Sequence, residues 1–212
     1  RMSDKTGNSG AMNETQTLPN AGPLFLTTLD QLTDLVHTVS TGDLDLATPC
    51  DGWSVRDLLS HLVAVQDRIP HIAGGGKPSD TPSQVQGIPD EGWLSAWDDR
   101  LPRLRAAIEN DEDRGRIVVH PAGPMPWAVA VGIYASEIAV HSWDLARALG
   151  RDSDLNQQVA LGVLPPIKGA LPAEPRGAAI GIPFGPVVPV ADDATPYAQL
   201  VGWLGRDPEW TA

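Results

Sequence analysis

The sequence predicts a mostly α-helical protein, a four-helix bundle with short extended segments and a Pro/Gly-rich C-terminal strap that ends in one more helix. Three observations carry this. Apolar residues recur at three- and four-residue steps in four separate stretches before residue 150. Strand-like alternation is confined to one short β-branched segment. Prolines and glycines crowd residues 165–194, where regular core elements are not expected.

The first helix is expected from Pro23 to about Val39, with Leu24, Leu26, Leu29, Leu32, Leu35 and Val36 on the helical period. After the turn-rich "STGDLDLATPCDGW", Ser54 can cap a second helix with Asp57 in its first turn, and this helix should run to about Ile69. Leu58, Leu62 and Val65 form its apolar stripe, and His61 lies beside that stripe, facing inward. Residues 73–90 have no period and read as a loop over the site, a possible lid. Their "GGGKP" is no phosphate loop, because Pro follows the Lys and no strand precedes it.

A third helix is expected over 90–109, from Trp93, Trp97, Leu101, Leu104 and Ile108, with Pro102 kinking its middle. "GRIVVHPAG" allows a short strand, and Pro126 then suits the first position of a fourth helix that stops at Gly150. A shorter helix should begin near Asp152. The last element has Thr195 as its cap and Pro196 in its first turn. Residues 22–164 thus form the bundle and 165–212 an extension packed on it, while residues 1–12 read as an expression remnant or floppy terminus.

The chain has 212 residues and a formal net charge of −12, with no Lys/Arg cluster. Such a field repels phosphate backbones and anionic lipid, so neither nucleic acid nor membrane is expected as a partner. No apolar run approaches the roughly 20 residues of a membrane span, and no signal peptide is recognisable, so a cytoplasmic location is expected. Monomer and homodimer both stay open. The one cysteine, Cys50, excludes an intramolecular disulfide and a cysteine-based zinc site.

Within "SEIAVHSWDLARALG", Glu137 and His141 are four residues apart and project side by side, with Asp144 one turn further along that face. His61 comes from another helix. Metal sites in bundles are built from inward side chains on facing helices, and two imidazoles plus one carboxylate leave coordination positions open, as in catalytic zinc sites. Ferrous iron accepts the same donors. The spacing alone also suits a surface ion pair for Glu137 with His141, and a salt bridge for Asp144 with Arg147 or Arg151. Cys50, just before the second helix, could be a thiolate nucleophile, but no paired histidine is identifiable and a buried structural thiol is the simpler reading. Trp53 and Trp143 flank the candidate ligands. His37, His71 and His120 have no local partner pattern and read as surface or loop residues.

"TPCDGWSVRDLLSHL", "SEIAVHSWDLARALG" and "YAQLVGWLGRDPEW" together resemble the actinobacterial group of DinB-like proteins related to mycothiol-dependent maleylpyruvate isomerase, over about residues 22–210. The resemblance implies a four-helix bundle holding a divalent metal, usually zinc, with iron or nickel as alternatives. Its ligands would be His61, Glu137 and His141. It also implies a cofactor role, toward the thiol mycothiol, for Asp144; Trp53 and Trp143, from their place beside the ligands, are candidates to wall the cofactor pocket, with aromatic core packing the stronger reading for both. The tail "PIKGALPAEPRGAAIGIPFGPVVPV" departs from the second domain of the isomerases. The expected activity is therefore a metal-dependent, mycothiol-using S-transferase or isomerase acting on a small electrophile. A hydrolase using metal-bound water, and a non-catalytic small-ligand-binding bundle, are the alternatives.

Overall fold

The computed structural model describes residues 18, 20–109, 113–182 and 184–212; the terminus 1–12 singled out from the sequence lies outside them. The architecture is mostly α-helical, as expected. Helix α1 spans Gly22–Val36, α2 Val55–Ala73, α3 Trp93–Asp98 and α4 Leu101–Glu109. A hairpin of β1 (Ile117–His120) and β2 (Gly123–Pro126) leads into α5 (Trp127–Leu149), followed by α6 (Gln157–Ala170) and α7 (Pro196–Trp203). No helix among the described residues is long and apolar enough to cross a membrane.

Helix α5 is the axis of the molecule. It is buried on several faces, which explains why its sequence is apolar nearly all round. Its most extensive packing is against α1, and α2, α6, α7 and the hairpin complete its surroundings. Phe25, Leu29, Leu32, Leu35 and Val36 of α1 are almost fully buried there, each side chain worth about 1.5–3 kcal/mol relative to an exposed one. Gly150 ends α5 with φ 66°, the left-handed stop that a residue with a Cβ adopts poorly.

The segment 90–109 is two helices, not one. The break lies at residues 99–100, and Pro102 sits in the first turn of α4, where its missing N–H costs no hydrogen bond. At α6 the expectation fails in the other direction. Residues 165–170 continue a helix through Pro165 and Pro166, because Val159, Ala160, Val163, Leu164 and Ile167 form one buried stripe that outweighs the two lost donors. Helix α7 has the expected Thr195 cap. Buried Gln31 ties this C-terminal part to α1, donating to Tyr197 Oη at 2.6 Å and accepting from the Asn156 amide at 2.6 Å.

Residues 81–85 are bonded along α2. The Ser60 hydroxyl donates to the Val85 carbonyl at 2.7 Å, the Val85 amide donates to the Ser60 carbonyl at 3.2 Å, and Arg68 Nη2 donates to the Pro82 carbonyl at 2.9 Å.

Candidate metal centre

Three local structures bring the site together. Before α2 the chain makes a turn in which the Trp53 amide donates to the Cys50 carbonyl at 2.9 Å, with Gly52 at φ 73° as such a turn demands. Ser54 then caps α2. Its hydroxyl accepts from the Asp57 amide at 3.3 Å, and its own amide donates to Asp57 Oδ2 at 2.9 Å, the reciprocal arrangement read from the sequence. His61 follows two turns into α2. On α5, the four-residue step from Glu137 to His141 and the three-residue step to Asp144 put all three on the face toward α2.

The structure brings His61, Glu137 and His141 together. Their candidate ligand atoms lie within 4.8 Å of one another; His61 Nε2 is 3.1 Å from Glu137 Oε1, and the two imidazole centroids are 5.1 Å apart. Hydrogen bonds on the far side of each ring fix the tautomers. His61 Nδ1 lies 2.9 Å from the Ser83 carbonyl oxygen, which can only accept, so Nδ1 carries a hydrogen and donates it. His141 Nδ1 lies 2.9 Å from Asp144 Oδ2 and donates likewise, which leaves Nε2 of both rings free toward Glu137. A neutral Nε2 facing a carboxylate at hydrogen-bond distance needs a second proton or a shared cation. Burial alone would raise the Glu137 carboxyl, but when the two rings carry that second proton the hydrogen bond from His61 and the positive charges of His61 and His141 outweigh burial and hold the carboxyl below its usual range. Two imidazole nitrogens and one ionised carboxylate, each imidazole anchored by its other nitrogen, fit a divalent ion of the zinc type.

The other face of His141 is closed. Asp144 is fully buried, and its Oδ2 accepts from His141 Nδ1, from Arg206 Nη2 at 3.0 Å and from the Cys50 thiol at 3.1 Å, while Oδ1 accepts from Arg206 Nε at 3.2 Å. Burial works against its ionisation, yet the Arg206 charge and the His141 hydrogen bond prevail and bring its carboxyl down to about 2. Burial, with the Asp144 charge next, pushes the Cys50 thiol up to about 12. Cys50 is thus a protonated donor at neutral pH and no thiolate nucleophile. It does have a histidine beside it, contrary to the sequence expectation, since its Sγ lies 3.9 Å from His141 Nδ1.

Trp53 packs its ring 5.2 Å from that of His61. Trp143 is buried in the core, with the Arg147 guanidinium 5.9 Å from its ring. Asp144 does not pair with Arg147 or Arg151. Its partner is Arg206, 62 residues away in sequence, which sequence spacing had no means of finding. His37 and His71 are exposed or half-buried and meet Asp98 and Asp80, each at 2.8 Å.

His120 is a correction. It is buried, with its ring centroid 4.8 Å from that of Tyr134, and its Nδ1 accepts from the Ala122 amide at 3.0 Å. The weak alternation of β1 turns Val118 and His120 inward and Ile117 and Val119 outward, and that alternation was the available signal. His120 Nε2 and the Tyr134 hydroxyl are buried without a hydrogen-bond partner among the described residues, and Tyr134 stands one helical turn before Glu137.

Residues 25–146 match the family described as the mycothiol maleylpyruvate isomerase N-terminal domain. The chain belongs to that family. Among its relatives are two uncharacterized proteins of Mycobacterium tuberculosis, from strains CDC 1551 and H37Rv, each 26% identical over 177 residues, covering 84% of this chain and 92% of their own length. Crystal structures of the mycothiol-dependent maleylpyruvate isomerase and of a histidine-to-alanine mutant of it are similar in fold, with TM-scores of 0.51 and 0.52 at 14% and 13% identity. The likeness covers 61% of this chain and 60% of those chains, so this family member spans less than two thirds of the solved isomerase's length.

Proposed function

We propose that this protein is a metal-dependent enzyme that uses a low-molecular-weight thiol, mycothiol, as cosubstrate and transfers it to a small electrophile. The observation that carries the reading is the pair of locked tautomers, in which the Ser83 carbonyl and the Asp144 carboxylate each take one Nδ1–H so that two Nε2 lone pairs and the Glu137 carboxylate converge. His61, Glu137 and His141 would hold the ion. When bound, a zinc-type ion lowers the pKa of a coordinated thiol, so that thiolate is available at neutral pH.

The protein's own residues do the rest. Asp144 stays ionised and keeps His141 in the donating tautomer, while Ser83 does the same for His61 from a backbone atom. Trp53 packs its ring beside that of His61. S-transfer is favoured over cis–trans isomerisation because the Pro/Gly-rich segment after α6 departs from the second domain of the isomerases. In S-transfer the thiolate sulfur bonds to the electrophilic carbon, and the displaced group leaves with that carbon's former bonding pair.

The deciding experiment pairs metal content with thiol dependence. Protein purified without a metal-affinity step should carry near-stoichiometric divalent metal, and Glu137→Ala should carry almost none. Turnover of an electrophilic test substrate such as a chlorodinitrobenzene should require added mycothiol. Turnover without thiol would replace this reading with metal-dependent hydrolysis, and saturable ligand binding without any turnover would replace it with a binding role.

A further inference from the structure

His141 belongs to two groups of metal-capable donors among the described residues. One is His61, Glu137 and His141; the other is Cys50, His141 and Asp144, again with all candidate ligand atoms within 4.8 Å. The second group offers a sulfur, a nitrogen and an oxygen. On donor chemistry alone it is the softer set, and it would compete for zinc-type ions.

What separates the two groups is a fixed cation. The Arg206 guanidinium donates to both oxygens of Asp144, at 3.2 and 3.0 Å, and its Nη2 lies 3.8 Å from Cys50 Sγ. It therefore stands against two of the three donors. A divalent ion entering this water-poor pocket would meet a like charge at contact distance, and such repulsion is strong where solvent is excluded. The guanidinium cannot step aside by losing its proton. Nor does its segment swing freely, because Arg147 donates from Nη2 to the Pro208 carbonyl and from Nε to the Trp210 carbonyl, both at 2.9 Å, and so fastens the chain just beyond Arg206 to α5.

We propose that Arg206 decides which face of His141 a divalent metal uses: its guanidinium fills the cation position among Cys50, His141 and Asp144 and so confines the metal to the His61–Glu137–His141 face. The inference rests on the metal reading of that face. With the guanidinium removed, Cys50 can bind as thiolate and release its proton to solvent, while His141 moves its Nδ1 proton to Nε2 and coordinates through Nδ1.

Cobalt(II) is the probe, since a cobalt–thiolate bond gives an intense near-ultraviolet charge-transfer band that nitrogen and oxygen donors do not. Wild type loaded with cobalt should lack the band, Arg206→Met should gain it, and adding Cys50→Ser to that variant should abolish it. Arg206→Lys, which keeps a cation, should retain the wild-type spectrum. An Arg206→Met protein that binds cobalt with the wild-type spectrum overturns the proposal, as does a thiolate band in wild type. Should Arg206→Met fail to fold, excess cobalt added to wild type serves as the test, and a band appearing beyond the first equivalent is the overturning result. A wild type that takes up no cobalt overturns the metal reading itself, a distinct failure.

Discussion

The two faces of the His141 imidazole make an instructive comparison. On its Nε2 side stand His61 and Glu137, partly open, with side chains 13% and 25% exposed. On its Nδ1 side stands Asp144, without exposure, locked to Arg206 and Cys50. Both sides hold a carboxylate and both could hold a cation. The closed side carries its cation covalently, as an arginine; on the open side the two imidazoles and the carboxylate point at one another. The same residue types thus serve as scaffold on one side of a ring and as candidate ligands on the other.

The comparison breaks most severely at its hinge. His141→Ala removes the shared residue, and we expect complete loss of stoichiometric metal and of thiol-dependent turnover while the helical circular dichroism persists; His61→Ala should lose metal without touching the closed side. Elemental analysis beside far-ultraviolet dichroism checks both.

Asp144→Ala attacks the closed side. It leaves the Arg206 guanidinium buried without its carboxylate, which should cost about 3–5 kcal/mol in urea unfolding. Asp144→Asn, which keeps an acceptor for His141, should be milder in stability yet lower metal affinity by roughly 10–100-fold. Equal metal affinity in Asp144→Asn and wild type would mean that the two faces do not communicate.

Acid sharpens the same contrast. The Asp144 carboxyl sits at about 2 in the folded protein, below its ordinary unfolded value of about 3.9. Its stabilisation is therefore complete above about pH 4 and is lost as pH falls through about 2. A shift of this size amounts to about 2–3 kcal/mol, which unfolding midpoints measured across that window in wild type and Asp144→Asn should reveal. The smallest effect is expected at Ser54→Ala, which removes the α2 cap for about 1 kcal/mol and should lower the thermal midpoint with little change in metal content.

Much of this was legible in the sequence, for identifiable reasons. The cap at Ser54 and Asp57, the inward placement of His61, and the shared face of Glu137, His141 and Asp144 all follow from local spacing, because an α-helix converts sequence separation into direction. What stayed hidden depends on the long-range approach of chain segments. Arg206 reaches Asp144 from 62 residues further along the chain, and nothing in "GRDPEW" names its partner. His120 sits in only four residues of strand, where the weak alternation of β1 was the one signal of its inward turn. The helix through Pro165 and Pro166 was obscured by a local rule that a buried stripe overrode.

The orienting group for His61 is a main-chain oxygen, that of Ser83. Exchanging the serine for almost any other residue leaves that oxygen in position. A saturation scan of single substitutions would therefore score position 83 as tolerant, although its carbonyl sets the ring. Insertions or deletions between residues 81 and 85 would displace it, so tolerance to changes of chain length, and not of residue identity, is where this stretch should be intolerant.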